Sequence, residues 1–586
     1  MTVYGVLQLL VFLSLLVAIA RPLGSYMAKV FEGKPTILSK SLLPLEHWIY
    51  RLCGVRPDVE QTWAAYAGAC LAFGIVNFLS LYVLLRMQGF FPLNPQHFGS
   101  GQAPAGAGQM TPDLAFNIAV SFMTNTSWQS YAGERTLSYL SQMLGIAVQS
   151  FTSTAAGMAV AIAVIRGFVR EKTRWLGNFW VDLTRCTLYV LLPFCVCAGL
   201  LLCSLGVIQN FRPNRQVTTV EGARQVIPMG PVASQEAIKL LSAGDGGGFF
   251  NANSAHPFEN PSPASNLAEM LLILAIPAGM TYAFGRMVGD RRQGWTLFAA
   301  MALLLVCGSL IIGWSEQKGN PALPVADANM EGKETRFGAA GSALFSEVST
   351  ASSDGAVNAV HTSFTPLASL VQMFNLTTGE VIFGGAGTGL ISIVLVAILT
   401  VFIAGLMVGR TPDYLGKRIE AREMKMLVFS LLAHSIPILV AMGATLVLHF
   451  RPGGYWNPPG DVAARLVNHG PHGLSELLYA NASAVATNGS SFGGLNANTP
   501  WFNLTTGLEM LIGRFLLIIP ALAIAGSLVR KPAMAVTAGT LPTSGGLFLT
   551  LIVGSTVLVT ALTFFPALSL GPVVEQFLMH ARVVFP

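Results

Sequence analysis

The chain has 586 residues, of which 53% are hydrophobic and only 11% charged, and its mean hydropathy is +0.59. Water-soluble domains carry about a quarter charged residues, which excludes an ordinary soluble enzyme, and apolar runs near the roughly 20 residues that cross a bilayer recur from end to end. The net charge of +6 does not indicate a nucleic-acid partner, because the 34 Lys and Arg residues punctuate the ends of apolar runs instead of forming a patch interleaved with aromatics.

In chain order the apolar runs predict ten transmembrane helices, near 3 to 21, 61 to 86, 139 to 165, 179 to 207, 266 to 285, 294 to 313, 381 to 408, 425 to 449, 505 to 529 and 546 to 569. The first run has no basic residues ahead of it and is followed by Arg21, so it is expected to be a retained helix with its N-terminus outside. The connections then assigned to the cytoplasm are short and basic: Arg21 to Arg56, Arg166 to Arg174, Arg286 to Arg292, Arg410 to Lys425, and Arg530 with Lys531. Both termini fall on the extracytoplasmic side. The seven cysteines, Cys53, Cys70, Cys186, Cys195, Cys197, Cys203 and Cys307, lie in or beside the runs without metal-ligand spacing, and read as small membrane-core residues.

The outside connections are longer and rich in Gly, Asn, Ser and Thr, with acidic residues such as Asp113, Glu134, Glu236 and Glu259. Four of them, after spans two, four, six and eight, carry the same pattern of short apolar stretch, polar cluster and next span. The stretches are Leu114 to Met123, Ala233 to Leu241, Gly341 to Val348 and Leu474 to Ala480. Each is too short to cross a bilayer, as expected of a re-entrant helix. The clusters that follow contain Asn125, Thr126 and Ser127; Asp245, Gly246, Gly247 and Gly248; Asp354, Gly355 and Ala356; and Asn488 and Gly489.

Span, short helix, polar turn and span is the unit of cation-selective pores. A cation that sheds its water needs replacement oxygens, which backbone carbonyls supply where the chain is extended and closely approached. Glycine permits that approach. The predicted organisation is an N-terminal helix and loop over 1–60, pore repeats over 61–166, 167–288, 289–409 and 410–531, and a last helix over 532–586.

At these residues the sequence resembles a known family. Met123–Tyr131 (MTNTSWQSY) with Gly133-Glu134, Gly246–Ser254 (GGGFFNANS) with His256–Pro261 (HPFENP), Gly355–Asn358, Gly379–Gly385 (GEVIFGG) and Asn488–Ser490 are similar to the potassium-translocating subunits of bacterial Kdp complexes, the KdpA family. The resemblance covers essentially the whole chain. It implies a channel-like fold of the potassium transporter superfamily in the bacterial inner membrane, K+ as the transported ion, and three partners: the P-type ATPase subunit (KdpB), an accessory single-span subunit (KdpC) and a small peptide subunit (KdpF). It also implies that ions pass sideways from the filter to the ATPase subunit through a tunnel. By the same resemblance, carbonyls of Asn125, Thr126, Ser127, Gly246, Gly247, Gly248, Gly355, Ala356, Asn488 and Gly489 form the filter. Gln129 lies near the ion path and Glu380 opens the span after the third short helix. Glu380 also reads as a carboxylate satisfying free N–H groups at a helix start.

The chain departs from the family pattern at Ser127 and Asp245, where Asn is common, and at Asp354, where Cys is common. Two added carboxylates at the mouth are expected to deepen its negative potential, or else to be solvated turn residues. In span seven, Gly384, Gly385, Gly387 and Gly389 make a poor continuous helix. They predict a local break, assigned a gate-like role by the resemblance, or close packing of neighbouring helices. Arg514 lies well inside span nine, where a charge must face protein or water. It is expected to act as a barrier to cations below the filter or as a structural partner of a buried acid or helix end. His256 and His361 suggest no role beyond structural hydrogen bonding.

The sequence has no GxxxxGKS/T phosphate loop and no Asp-Lys-Thr-Gly-Thr segment, so no ATP site is expected in this chain, which reads as a non-catalytic transport subunit. A stand-alone potassium channel or cation symporter of the same superfamily is the alternative. A membrane enzyme built on Glu236, Asp245 and Asp354 is disfavoured, because those carboxylates show no consistent pairing.

Overall fold

Several spans begin where the sequence supplies an oxygen for the free N–H groups of a first helical turn. Thr2 accepts from Gly5 at the first span, Asp290 accepts from Arg292 and Gln293 at the sixth, and Thr499 accepts from Phe502 at the ninth, with Pro500 at the first helical position. At the fifth, Ser262 and Ser265 cap each other's backbone reciprocally. The computed structural model describes residues 2–104, 107–242, 244, 246–321, 328–449, 468, 470–535 and 540–583.

Among the described residues, ten helices are long and apolar enough to span a membrane: Val3–Phe31, Trp63–Arg86, Ser141–Val169, Phe179–Ser204, Pro263–Met287, Arg291–Lys318, Thr388–Val408, Ala421–Leu448, Pro500–Leu528 and Gly546–His580. The protein is a mostly helical, multi-pass membrane protein. Among the described residues, strands are confined to three two-stranded ladders, one of them an exposed hairpin of Arg215–Thr218 with Arg224–Ile227.

Four shorter helices, Pro112–Met123, Val232–Ser242, Gly338–Ser352 and Gly470–Val485, each precede a non-helical turn. At about 1.5 Å per residue even the longest reaches only about 24 Å, short of the roughly 30 Å apolar thickness of a bilayer. They extend beyond the apolar stretches read from sequence, because buried Ser349, Thr350 and Ser352 continue the third helix and buried Asn481 and Ser483 continue the fourth. The spans following these turns are the innermost. Their apolar windows are 83%, 78%, 72% and 61% buried, against 22%, 44%, 56% and 17% for the spans preceding the short helices. The spans that follow the turns therefore sit at the centre, and those that precede the short helices form the outer wall.

Backbones approach closely where glycines meet. A Cβ on Gly24 of the first span would lie 2.4 Å from the Gly279 carbonyl of the fifth, so this contact admits no larger residue.

Two expectations need correction. Span seven does not start at 381. A helix over Pro366–Thr377 is followed by a non-helical segment, and the apolar helix begins at Thr388. The first half escaped a hydropathy reading because it carries Ser369, Gln372 and Asn375, whose polarity is satisfied inside the protein. Gln372 donates to Ser346 at 2.7 Å and Asn375 to Glu347 at 2.9 Å, both on the third short helix. The cysteines are also not uniformly in the core: Cys70, Cys186 and Cys195 are buried, whereas Cys53, Cys197, Cys203 and Cys307 are exposed, as thiols on lipid-facing or loop surfaces can be.

Candidate functional site

The four turns converge on one point. Gly246 N–H donates to the Thr126 carbonyl at 3.2 Å, joining the second turn to the first. A Cβ on Gly489 would lie 1.9 Å from Thr126 O, and one on Gly355 would lie 2.0 Å from Asn488 O. The fourth turn thus touches the first and the third, and a Cβ on Gly246 would meet Asn488 O at 2.5 Å. Gly355 and Gly489 have φ of +69° and +85°, so both conformation and closeness require glycine there.

Three turns share a backbone signature. Left-handed residues stand two apart at Asn125 and Ser127, at Ser353 and Gly355, and at Thr487 and Gly489. Non-glycine residues rarely adopt this conformation. The alternation lets successive carbonyls face one side, as a ring of oxygen ligands needs.

Side chains hold each turn from behind. Asn125 Oδ1 accepts from Ser153 at 2.7 Å and Thr154 at 2.8 Å, both on the third span. Gln129 forms a reciprocal pair with the Gly248 backbone at 3.0 and 3.1 Å, so its amide braces the second turn. Asn488 donates to the Ser349 carbonyl at 2.9 Å and accepts from Ser490, which continues through Tyr479 to His361 at 2.7 and 2.8 Å. Asp354 is fully buried and accepts from the Ala356 N–H at 3.1 Å. It is not a solvated turn residue; it caps the third turn. Asp245 lies outside the described residues.

Above the turns is an open vestibule of about 780 Å³. Its wall takes a segment following each turn, including Gln129 and Tyr131, Asn251 and Ala255, Val357 and His361, and Ser491 to Asn498. The buried Lys333–Glu316 pair, 2.7 Å apart, anchors one side, and Thr365 adds hydrogen bonds to the same carboxylate, which a buried ion pair needs if it is to offset its desolvation. Burial, then the nearby Arg336, pushes the His256 imidazole down to about 4. Burial, then Lys333, pushes His361 to about 3. Both rings are therefore neutral at physiological pH.

Below the turns lies the non-helical segment between Thr377 and Thr388. Gly384, Gly385 and Gly387 lie in it and Gly389 in the first turn of the following helix. Glu380, with φ +55°, accepts from Thr487 of the fourth turn at 2.6 Å and from Thr388. It therefore ties the segment to the turn above it and does not open a helix. Ala386 N–H reaches the Ser242 carbonyl at the end of the second short helix, and a Cβ on Gly387 would meet Gly157 O at 2.4 Å. The segment thus packs against the fourth turn, the second short helix and the third span.

Arg514, 4% exposed, points into the same place. It donates at 2.8 Å to the carbonyl of Ser153, one of the two residues that hold Asn125, and exerts its attraction on Glu380. A cavity of about 290 Å³ opens sideways from Thr377 to Val381, between spans seven, eight, nine and ten, past Ser392, His434, Gly513 and Thr560.

Sequence reasoning missed Ser153, Thr154 and Tyr479, whose partners Asn125 and His361 lie on other elements, and gave no role to Thr388 or Ser490, which hold Glu380 and Asn488. It also missed Lys239, whose only signal was a basic residue inside a short apolar stretch.

The chain matches the family model described as KdpA, potassium-transporting ATPase A subunit, over residues 10–577. It is 55% identical to the potassium-transporting ATPase potassium-binding subunit of Solibacter usitatus, over 99% of each chain. It is 53% identical to the protein of that name from Brucella anthropi, over 100% of each. Its fold is similar to the crystal structure of the potassium transporter TrkH from Vibrio parahaemolyticus, with a TM-score of 0.52 at 14% identity, covering 88% of this chain and 96% of that one.

Proposed function

Because the chain belongs to the KdpA family of potassium-transporting ATPase A subunits, we propose that it is the potassium-binding and translocating subunit of an ATP-driven high-affinity uptake pump. The observation that carries this reading is the meeting of four turns under one vestibule. Potassium enters from the vestibule and exchanges its water for backbone oxygens at Asn125–Ser127, Gly246–Gly248, Gly355–Ala356 and Asn488–Gly489. The alternation of inner and outer spans supports four pore repeats within 61–531, flanked by the terminal helices.

From the filter the ion leaves sideways. The Gly384–Gly389 segment and Arg514 obstruct the direct way to the cytoplasm, and the cavity beside Glu380 offers the lateral one. It leads towards a partner P-type ATPase subunit, which supplies ATP hydrolysis; an accessory and a small peptide subunit complete the complex in the bacterial inner membrane. The short basic connections support a topology with both termini outside.

The test is potassium uptake from micromolar external potassium, in cells lacking their own potassium systems, with this chain alone or with the other subunits. Uptake only with a hydrolysing ATPase subunit is expected. Robust uptake by the chain alone would make it a channel or symporter.

The departure at Asp354 gives a finer prediction. A buried carboxylate beside the third turn adds negative potential where the cation sits. Asp354→Cys is expected to retain transport and raise the potassium KM about threefold to tenfold, equivalent to roughly 1 kcal/mol; an unchanged or lower KM would remove the electrostatic role.

A further inference from the structure

The second short helix, Val232–Ser242, buries a lysine and a glutamate one turn apart. Lys239 Nζ lies 2.9 Å from Glu236 and 3.8 Å from Glu259, with these side chains 4% exposed or less. Satisfying this buried ammonium takes several oxygens, and its closest contact is the Asn253 Oδ1, at 2.6 Å.

Asn253 faces both ways. Its amide nitrogen donates to the Gly246 carbonyl at 2.6 Å, while Oδ1 also accepts from Ser254 N–H at 2.8 Å. Its backbone is left-handed, with φ +54°. Lys239 fixes which end of the amide faces it, because an ammonium can only donate. The NH2 end is thereby aimed at Gly246. The Gly246 N–H in turn donates to the Thr126 carbonyl of the first turn, so this residue links two of the four turns. Glu259, the other carboxylate paired with Lys239, accepts from Phe250 N–H at 2.6 Å and lies 2.9 Å from where a Cβ on Gly248 would be. The network thus holds the second turn at both ends.

We propose that Lys239 is a positioning residue for the ion site: through Asn253 it fixes the direction of the Gly246 carbonyl, and so sets the discrimination of potassium from rubidium and ammonium. The inference rests on the reading of the four turns as a potassium filter. Whether selectivity comes from cavity size or from the number and strength of the carbonyl dipoles, it depends on where each carbonyl points.

The experiment measures ion-stimulated ATP hydrolysis of the complete complex with potassium, rubidium or ammonium, for Lys239→Met, Asn253→Gly and the double variant. Asn253→Gly keeps the left-handed backbone while removing the amide. Each single variant is expected to raise the potassium KM about tenfold, the equivalent of 1.4 kcal/mol, to bring the rubidium-to-potassium KM ratio towards one, and to retain kcat. The double variant should add nothing further, since both changes cut the same link. An assembled Lys239→Met or Asn253→Gly complex with the unmodified KM ratio overturns the proposal. If Lys239→Met does not assemble, Asn253→Gly decides alone. An unmodified complex with no potassium-dependent turnover overturns the filter reading as well, which separates the two failures.

Discussion

Arg514→Ala is expected to let potassium leak through the assembled complex while ATP hydrolysis continues. The guanidinium is buried in the ninth span and donates to Ser153 O. It lies 3.0 Å from where a Cβ on Gly157 would be, a point 3.1 Å from the Ala386 carbonyl of the non-helical segment. A unit charge about 6 Å from a passing cation, at an effective dielectric of about 20, raises its energy by about 3 kcal/mol, roughly two orders of magnitude in rate. Passive rubidium efflux from proteoliposomes without ATP reads this directly. Arg514→Lys should stay tight, because it keeps the charge and loses only the planar fork. Since Ser153 also holds Asn125, a filter distorted by the substitution would show as a raised potassium KM without leak. Tightly coupled, leak-free transport by Arg514→Ala would exclude the barrier role.

Gly489→Ala is expected to abolish micromolar potassium binding in a complex that still assembles. The new methyl carbon would stand 1.9 Å from the Thr126 carbonyl oxygen, well inside van der Waals contact, on a backbone at φ +85° that costs an L-residue about 1–2 kcal/mol. Relief requires moving the first turn or flattening the fourth, and either displaces ligand oxygens. A loss of affinity of about a hundredfold or more corresponds to roughly 3 kcal/mol. Assembly should survive, because the spans are held by apolar packing away from the turns. Gly443→Ala is the control: it lies in the eighth span with nothing within 4 Å of the new carbon, and its potassium KM should not change. A Gly489→Ala complex with the unmodified KM would place the ion elsewhere.

Much of this architecture was legible in the sequence because a bilayer imposes length and hydropathy on whatever crosses it. Nine of the ten spans begin within a few residues of their apolar runs. The four short helices were legible as stretches too short to span, each followed by a polar turn. The exception is instructive. Pro366–Thr377 leads into the seventh span but faces Ser346, Glu347 and Thr350, so its polarity is paired within the protein and hydropathy cannot register it. The break at Gly384–Gly387 was visible as glycines, but not that Glu380 and Thr487 fasten it to the fourth turn. Contacts such as Ser153 with Asn125, or His361 with Tyr479, join elements whose proximity is a product of the fold.

Potassium is expected to bind where the four turns meet. Anomalous scattering from crystals of the complex grown in thallium or rubidium locates the ion without reference to transport. The account predicts a peak ringed by carbonyls of Thr126, the Gly246–Gly248 turn, Gly355 and Asn488, beneath the vestibule. Ions bound only elsewhere, such as beside Glu380 or among the vestibule side chains, with no peak between the turns, would contradict it.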